Sequence, residues 1–301
     1  MIKSIDELFD LVKNRPTMKI AVASAEDTDI LQIVEKAKQM GLADFILIGA
    51  KEKIMALATE NNLELDVEII DQADPAHAAA LAVELVNSGE ASAVMKGFLQ
   101  TCTFLKAILN KEKGLNVTGL ISQVSVYDKD NGMGLQFLTD CAINISPTLS
   151  QKRQLIDNVV DLAIKLGYEK PRVAILSALE LIRDDMPDTI EAAALSKMAE
   201  RGQIKNCYID GPLALDNAVS PEAAAHKNIM GEVAGRADIL IAPSIQVGNV
   251  LTKALTFFAK KKVVAAVVGA SKPIVMTSRT DMFENKLLSV ALAGYIASVS
   301  N

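Results

Sequence analysis

Short apolar runs alternate along most of this chain with segments whose apolar residues recur at helical spacing. The runs KIAVASA (Lys19–Ala25), FILIGA and SAVMKG are typical of buried strands, and the segment EDTDILQIVEKAKQMGLA is typical of an amphipathic helix. This alternation, with short glycine-marked connections, predicts a mainly parallel sheet covered by helices on both faces. Ligands of such sheets bind beyond the carboxyl ends of the strands, so polar residues that follow a strand are the candidate site residues.

The middle of the chain has a different pattern. Two strand-like runs flank the turn DKDNGMG within LNVTGLISQVSVYDKDNGMGLQFLTDCAINI, which predicts a β-hairpin. Alternation then resumes and continues to PIVMT and DMFENKLLSVALAGYIASV, a strand and a closing helix. The change in pattern indicates a domain boundary near residues 111–118. Periodicity alone does not indicate the domain to which the closing segment belongs.

Composition excludes several classes of partner. The 301 residues include 31 Lys and Arg against 37 Asp and Glu, a net charge of −6, and no tryptophan, so nucleic acid is not an expected partner. No apolar run approaches the roughly 18 residues of a membrane span. Three scattered cysteines indicate reduced thiols in the cytoplasm, and two histidines exclude a histidine-rich metal site. Glycine-rich dinucleotide, Walker A and G-x-S-x-G motifs do not occur in the sequence.

The first polar cluster lies in MKGFLQTCTFLKAILN, after a predicted strand. Gly97 follows Lys96 and permits close approach of a ligand to the backbone. The hydroxyls of Thr101 and Thr103, with the free N–H groups of a helix start, suit phosphate or carboxylate oxygens. Ordinary capping of the helix explains the same pattern equally well.

Two more clusters follow later strands. In FLTDCAINISP, Asp140 and Asn144 follow an apolar strand, where an aspartate is catalytic, orients a partner or caps the next turn. In DGPLALDNAVSPEAAAHK the turn residues Asp-Gly-Pro bring Asp216 to the carboxyl edge of the sheet. In APSIQVGNVLTK, Gly248 and Asn249 open a helix whose N-terminus suits an anion. Each of these signals is weak alone, and their shared position at strand ends strengthens them.

The fourth cluster lies in KPIVMTSRTDMFEN, between the last strand and the closing helix. Ser278 or Asp281 could simply cap that helix, where acidic residues also suit the helix dipole. Arg279 is harder to explain as a cap, because a cation beside a helix N-terminus is electrostatically misplaced unless an anion joins it. This stretch therefore indicates a site for an anionic ligand.

Taken together, these segments resemble the phosphate acetyl/butyryl transferase family. The resemblance is carried by DGPLALD, PSIQVGNVLTK and KPIVMTSR, and it extends through MKGFLQTCTFLKAILN, FLTDCAIN and LSKMAERGQIKN. These motifs span essentially the whole chain, in order and with similar spacing. GPLALD and TSR are similar to the butyryl branch, whereas the acetyl branch tends toward a Gly-Glu-Leu-Gln type of sequence at the first of these places.

The resemblance implies an α/β fold with two three-layer α/β/α domains and mainly parallel sheets, similar to isocitrate and isopropylmalate dehydrogenases. The first domain would comprise residues 1–116 with 270–301, the second residues 117–269, and the site would lie in the cleft between them. The implied reaction is acyl-CoA + phosphate ⇌ acyl phosphate + CoA, through a ternary complex and with a short or branched acyl group. The resemblance implies no prosthetic group and a homodimer or higher homo-oligomer.

The resemblance also assigns roles to residues. It places Ser278 and Arg279 at the reaction centre, where the serine would contact the thiol or carbonyl and the arginine phosphate or CoA. The other catalytic candidates are Asp281, Asn285 and Asp216. The expected substrate-binding residues are Lys96, Gly97, Thr101, Thr103, Lys106, Asp140, Asn144, Gly248, Asn249 and Lys253.

Two positions depart from the family pattern. Asn285 stands where the acetyl enzymes have an aspartate that acts as the base for the thiol, and an asparagine side chain cannot accept that proton. The base could instead be Asp281, Glu284 or Asp216, or nearby positive charge could ionise the thiol without a base. Lys106 stands where the family often has an arginine, and lysine lacks the bidentate fork for phosphate.

Other functions remain open at this stage. A phosphate acetyltransferase would differ in its relative rates with acetyl-CoA and butyryl-CoA. A non-catalytic acyl-CoA-binding regulatory protein would fit the asparagine at position 285, although the retained Ser278 and Arg279 pair argues against it. A decarboxylating dehydrogenase of the isocitrate type is disfavoured, because the sequence has no clear cluster of metal-binding aspartates and no nicotinamide motif.

Overall fold

The computed structural model describes residues 1–115, 119–130, 132, 134–278 and 280–299. The chain divides into two compact units. The central unit comprises Met1–Ile5 with Gly119–Val263, and the terminal unit comprises Asp6–Thr118 with Val264–Asn301. Arg279 lies outside the described residues.

The strands follow the predicted apolar runs. In chain order they are β1 (Met18–Ala23), β2 (Ala43–Gly49), β3 (Glu68–Asp71), β4 (Ala93–Lys96), β5 (Ser122–Asp128), β6 (Leu135–Thr139), β7 (Arg172–Leu176), β8 (Tyr208–Leu213), β9 (Ile239–Ile241), β10 (Val264–Val268) and β11 (Ile274–Val275).

The helices occupy the segments between the strands. In chain order they are α1 (Ile5–Lys13), α2 (Thr28–Gln39), α3 (Lys51–Glu60), α4 (Pro75–Asn87), α5 (Thr101–Ile108), α6 (Leu149–Lys165), α7 (Pro187–Glu200), α8 (Leu215–Val219), α9 (Pro221–His226), α10 (Ile245–Phe257) and α11 (Phe283–Val299). Within the described residues, none of these helices is both long and apolar enough to cross a membrane.

The terminal unit contains a mostly parallel set of strands. Their order is β3-β2-β1-β4-β11-β10, and all neighbours are parallel except β10 and β11. The chain builds outward from β1 to β3 and then returns to place β4 on the other side of β1. The order of the strands reverses between β1 and β4, and such a switch point opens a crevice for ligands beyond the carboxyl ends.

Helices pack on the strands of the terminal unit in two groups. α2 and α11 contact each other, and α4 and α5 contact each other, while α4 and α11 both contact β1, β2 and β4. The N-terminus of α2 is fixed by Asp27, whose carboxylate accepts a hydrogen bond from the Ile30 backbone. α11 is buried on all sides from Asn285 to Ala297, as expected for a helix with little polar surface.

The central unit combines a hairpin with parallel strands. Its order is β5-β6-β9-β7-β8, and among the described residues of this unit β5 and β6 are antiparallel while the other neighbouring strands are parallel. That pair confirms the predicted hairpin. α6 begins with a capping box, because Thr148 and Gln151 exchange hydrogen bonds with each other's backbone N–H groups. The α/β class with a mostly parallel sheet is therefore confirmed.

One strand is shorter than predicted. The run Lys19–Ala25 was expected to be extended throughout, but β1 ends at Ala23 because Ser24 has φ 55°. This is the left-handed region, which residues other than glycine, asparagine and aspartate seldom adopt. The chain therefore turns sharply at the carboxyl end of β1, next to the switch point.

Two glycines allow close backbone approach at strand ends. A Cβ atom at Gly97 would lie well inside contact distance of the Ser24 carbonyl oxygen. A Cβ atom at Gly248, in the first turn of α10, would meet the Asp140 carbonyl oxygen in the same way. In both cases the obstacle is backbone, which cannot swing aside as the end of a side chain can.

We predict that Gly97→Ala and Gly248→Ala each destabilise the protein by about 1–3 kcal/mol, because overpacked backbone must shift. Denaturant unfolding would measure the change. Gly119→Ala is the matched control, since its new methyl group would meet the flexible Gln154 side chain. Equal stability of all three variants would contradict the role of the two close contacts.

Candidate active site

The carboxyl ends of β1 and β4 form a tight junction in the terminal unit. The Gly97 N–H donates to the Ala23 carbonyl at 2.9 Å, and the Phe98 N–H donates to the Ser24 carbonyl at 2.6 Å. Ser24 is buried, and its hydroxyl has no hydrogen-bond partner among the described residues. A buried unpaired hydroxyl on a left-handed residue is the kind of strained feature that concentrates at functional sites.

The β4–α5 connection carries the first predicted cluster. Lys96 is half-buried, with its ammonium 3.4 Å from the Gly97 carbonyl oxygen. Thr101 is exposed at the first position of α5, Thr103 is half-buried, and Lys106 is exposed in the second turn. Among the described residues, the side chain of the N-cap residue makes no capping hydrogen bond at α5. This helix start therefore presents backbone N–H groups, hydroxyls and an ammonium to solvent.

The segment that contains Ser278 is folded into a turn by Asp281. The Ser278 N–H donates to Asp281 Oδ2 at 2.7 Å, and the Asp281 N–H donates to the Ser278 carbonyl at 3.2 Å. The Ser278 hydroxyl is exposed and lies 3.0 Å from the Thr280 hydroxyl. The serine hydroxyl is therefore accessible to a ligand, while one oxygen of Asp281 is engaged in holding the turn. Arg279, the other residue that the resemblance places at the reaction centre, lies outside the described residues.

The first turn of α11 follows directly and contains two buried polar residues. Asn285 and Lys286 are each 5% exposed. The Lys286 ammonium lies 3.3 Å from Asp29 Oδ2, in the first turn of α2. Glu284 is exposed. Asn285, which occupies the position expected for an aspartate, is thus inside the protein rather than at its surface.

In the central unit, Asp140 organises the loop after β6. It is 2% exposed, and its carboxylate accepts hydrogen bonds from the backbone N–H groups of Ala142, Ile143 and Asn144 at 2.8–3.1 Å. The Asn144 side-chain amide also donates to Asp140 Oδ2 at 2.5 Å and to the Ile121 carbonyl at 2.9 Å. The Asp140 carboxylate therefore accepts hydrogen bonds that hold the backbone of this loop. Direct contact of Asp140 with a substrate stays a prediction.

The start of α10 packs on this loop. Gly248 lies against the Asp140 backbone, and the Asn249 side-chain amide donates to the Cys141 carbonyl at 3.0 Å. Burial raises the pKa of the Cys141 thiol to about 11, so this thiol is protonated at neutral pH. Lys253 is exposed one turn further along α10. Asp140, Asn144, Gly248 and Asn249 therefore form one local cluster.

Asp216 belongs to a different group in the central unit. Its carboxylate lies 3.3 Å from the Lys227 ammonium, which is also 3.1 Å from Glu180 Oε2. The hydrogen bond from the Asn217 backbone, followed by the Lys227 ammonium, lowers the pKa of Asp216. A carboxylate with a lowered pKa is a weaker proton acceptor, which argues against Asp216 as the base for a thiol.

Sequence reasoning did not identify Ser24, Lys227 or Lys286. Ser24 lay inside what was predicted to be a strand, and its only signal was the polar run SAEDTD that follows β1. Lys286 resembled any lysine on a helix, because its burial arises from packing of α11 on strands and on α2, which are distant in the chain. Lys227 gave no periodic signal at the end of a short helix.

The groups around Ser278 and the start of α5, and separately the groups at the start of α10, each suit an anionic ligand. The terminal cluster offers hydroxyls, ammonium groups and helix N–H groups, all of which donate to phosphate oxygens. The start of α10 offers a second set of N–H groups. Among the described residues, no group of three or more His, Cys, Asp or Glu side chains is arranged to hold a metal ion.

Comparison with known proteins gives one consistent result. The family described as phosphate acetyl/butaryl transferase matches residues 4–81 and 72–294. Phosphate butyryltransferase of Clostridium beijerinckii is 46% identical over 299 residues, which cover 99% of each chain, and that of Clostridium acetobutylicum is 46% identical over 298 residues, again 99% of each.

A solved structure agrees with these relatives. The branched-chain phosphotransacylase from Enterococcus faecalis V583 is 35% identical and superposes with a TM-score of 0.82, covering 94% of this chain and 99% of its own. Matches in sequence and in structure thus extend over nearly the whole length. The chain belongs to the phosphate acetyl/butaryl transferase family.

Proposed function

We propose that this enzyme transfers a short-chain or branched acyl group between CoA and inorganic phosphate, with butyryl-CoA + phosphate ⇌ butyryl phosphate + CoA as the type reaction. The observation that carries this function is the 46% identity to phosphate butyryltransferases over 99% of both chains. The exposed Ser278 hydroxyl and the uncapped start of α5 support it, because both suit an anionic substrate with an acyl group.

The chemistry is one acyl transfer in a ternary complex. A phosphate oxygen attacks the thioester carbonyl carbon, an oxyanion develops, the C–S bond breaks and CoA leaves as a thiolate. Donors directed at that oxyanion are usually the largest catalytic contribution. Holding both substrates in contact removes much of the remaining entropic barrier.

We assign the reacting groups to the terminal unit. Ser278 contacts the thioester carbonyl or the thiol, and Arg279 neutralises phosphate. Lys96, Lys106 and the start of α5, with Gly97, Thr101 and Thr103, bind phosphate oxygens. Asp281 orients Ser278, as supported by its 2.7 Å hydrogen bond to the Ser278 N–H.

We assign the CoA-binding groups to the central unit. The N-terminus of α10 at Gly248 and Asn249 receives anionic groups of CoA, with Lys253 one turn along the helix. Asp140 and Asn144 hold the loop on which this helix start packs. No residue of this set requires a prosthetic group for these roles.

We propose two three-layer α/β/α domains of the isocitrate dehydrogenase type, residues 1–116 with 270–301 and residues 117–269, and a cytoplasmic homodimer or higher homo-oligomer. Self-association through α10 would bury the apolar side chains of Val250 and Phe258, which are 66% and 87% exposed.

We predict phosphate-dependent release of CoA from the purified protein, faster with butyryl-CoA or a branched acyl-CoA than with acetyl-CoA. A thiol reagent would follow the released CoA across a series of chain lengths. Faster reaction with acetyl-CoA would assign the enzyme to the acetyl branch. Binding of acyl-CoA without phosphate-dependent release at any chain length would instead indicate a regulatory protein.

We predict that Arg279→Ala lowers kcat/KM by about 10²-fold or more, the scale of losing one donor to a developing charge. Steady-state kinetics with varied phosphate would measure it. Arg153→Ala is the control, since Arg153 lies on α6 and pairs weakly with Asp157 in the next turn. Near-normal turnover of Arg279→Ala would show that Arg279 does not take part in the reaction.

We predict that Asp281→Asn keeps most of the activity, whereas Asp281→Ala loses about two- to tenfold in kcat, the effect of one hydrogen bond. The asparagine carbonyl can still accept from the Ser278 N–H, so the turn persists. Comparison of kcat for the two variants distinguishes an Asp281 that holds the Ser278 turn from an Asp281 that accepts a proton. If Asp281 were instead the proton acceptor, both variants would lose activity equally.

A further inference from the structure

Three large apolar residues of the terminal unit are exposed at the edge of the sheet where Ser278 lies. Met282 and Phe283, at the start of α11, are 42% and 43% exposed, and Phe98, in the β4–α5 connection, is 45% exposed. Single exposed apolar residues are common on protein surfaces. Apolar residues grouped around a polar centre are instead typical of a surface that contacts a ligand.

Met282 is close to Ser278 because the chain between them forms a tight turn. The Asp281 N–H donates to the Ser278 carbonyl at 3.2 Å, and Asp281 Oδ2 accepts from the Ser278 N–H at 2.7 Å. The Cα atoms at the ends of such a four-residue turn lie within about 7 Å of each other. Met282 is the next residue, so its Cα atom lies within about 11 Å of the Ser278 Cα atom.

Phe283 leans toward the same turn. The Lys286 N–H donates to the Met282 carbonyl at 3.2 Å, so Met282 occupies the N-cap position and Phe283 is the first residue of α11. Long side chains of a helix point toward its N-terminus and cover the preceding turn. The Phe283 side chain therefore points back toward the segment that ends at Asp281.

The pairing of β4 with β11 brings Phe98 to the same edge of the sheet. The two strands are parallel, with Met95 opposite Val275. Phe98 follows Met95 by three residues, and Ser278 follows Val275 by three residues. Neighbouring strands are about 4.8 Å apart, so the two connections leave the sheet side by side.

The backbone and the ring of Phe98 are each positioned by a contact. The Phe98 N–H donates to the Ser24 carbonyl at 2.6 Å, and the Lys53 ammonium lies 5.9 Å from the centroid of the ring. A cation at that distance is attracted to the face of an aromatic ring. Phe98 therefore presents an oriented apolar surface to solvent beside the connection that carries Ser278.

We propose that Met282, Phe283 and Phe98 form the surface that contacts the acyl chain of the substrate and sets the preference for its length. The inference rests on the proposed acyl transfer, in which Ser278 contacts the thioester carbonyl. A carbonyl group held at Ser278 places the rest of the acyl group among these three residues. The chain is uncharged and aliphatic, so apolar side chains stabilise it by removing its surface from water.

The test compares kcat/KM for butyryl-CoA with kcat/KM for acetyl-CoA in Met282→Ala and Phe98→Ala. Butyryl has two methylene groups that acetyl lacks, and full burial of one methylene changes binding by about fourfold. An open surface covers the chain in part, so the ratio of the two values should fall about three- to tenfold in each variant. Phe98→Leu, which keeps an apolar side chain, should retain most of the ratio. Partial unfolding lowers both values together and leaves the ratio unchanged.

Met55→Ala and Phe9→Ala are the matched controls in the terminal unit. Met55 is 48% exposed and lies two residues beyond Lys53 in α3, on the opposite side of that helix. Phe9 lies in α1 with the Lys13 ammonium 4.5 Å from its ring centroid, a contact like that of Phe98 with Lys53. We expect both variants to keep the ratio of the wild type.

Unchanged ratios in Met282→Ala and Phe98→Ala, or equal losses in the two controls, would overturn the inference while the proposed function stands. If these residues instead contacted a second copy of the chain, the variants would change the sedimentation coefficient and not the ratio, which would also overturn it. Failure of the wild type to release CoA from either substrate in the presence of phosphate would overturn both the inference and the proposed function.

Discussion

Parallel pairing of β4 with β1 is the constraint on which the terminal site depends. Because parallel strands end at the same edge, this pairing places Ser24 beside Gly97 and brings the start of α5 to the switch point. The backbone bond from the Phe98 N–H to the Ser24 carbonyl then fixes the β4–α5 connection. β11 extends the same edge on the far side of β4 and delivers Ser278 there. The absence of a side chain at Gly97 is what permits the contact.

In the central unit a buried carboxylate has the corresponding organising role. A charged group that is 2% exposed must be satisfied by hydrogen bonds, and Asp140 achieves this with three backbone N–H groups and the Asn144 amide. The resulting loop has a fixed backbone on which Gly248 packs. One satisfied charge thus sets the position of the α10 N-terminus, which we propose as the CoA-binding end.

Positive potential at a helix N-terminus is the feature of the terminal unit that suits the proposed anionic substrate. The start of α5 offers backbone N–H groups and the ammonium of Lys106 at the carboxyl edge of the terminal strands. A helix N-terminus with these donors favours a bound anion. In the proposed acyl transfer, positive potential at this edge would stabilise bound phosphate in both directions of the reaction.

The sequence by itself determined the elements and the family. Alternating apolar runs predicted β1, β2 and β4 to within two residues, the turn DKDNGMG predicted the β5–β6 hairpin, and the ordered motifs identified the family, because these signals are local in the chain. Which residues of a motif are buried was decided only by the tertiary structure. Asn285 and Lys286 sit in an ordinary helical pattern, and their burial arises from packing of α11 on strands and on α2. The left-handed turn at Ser24 and the pair of Lys286 with Asp29 likewise depend on contacts between distant segments, which periodicity does not encode.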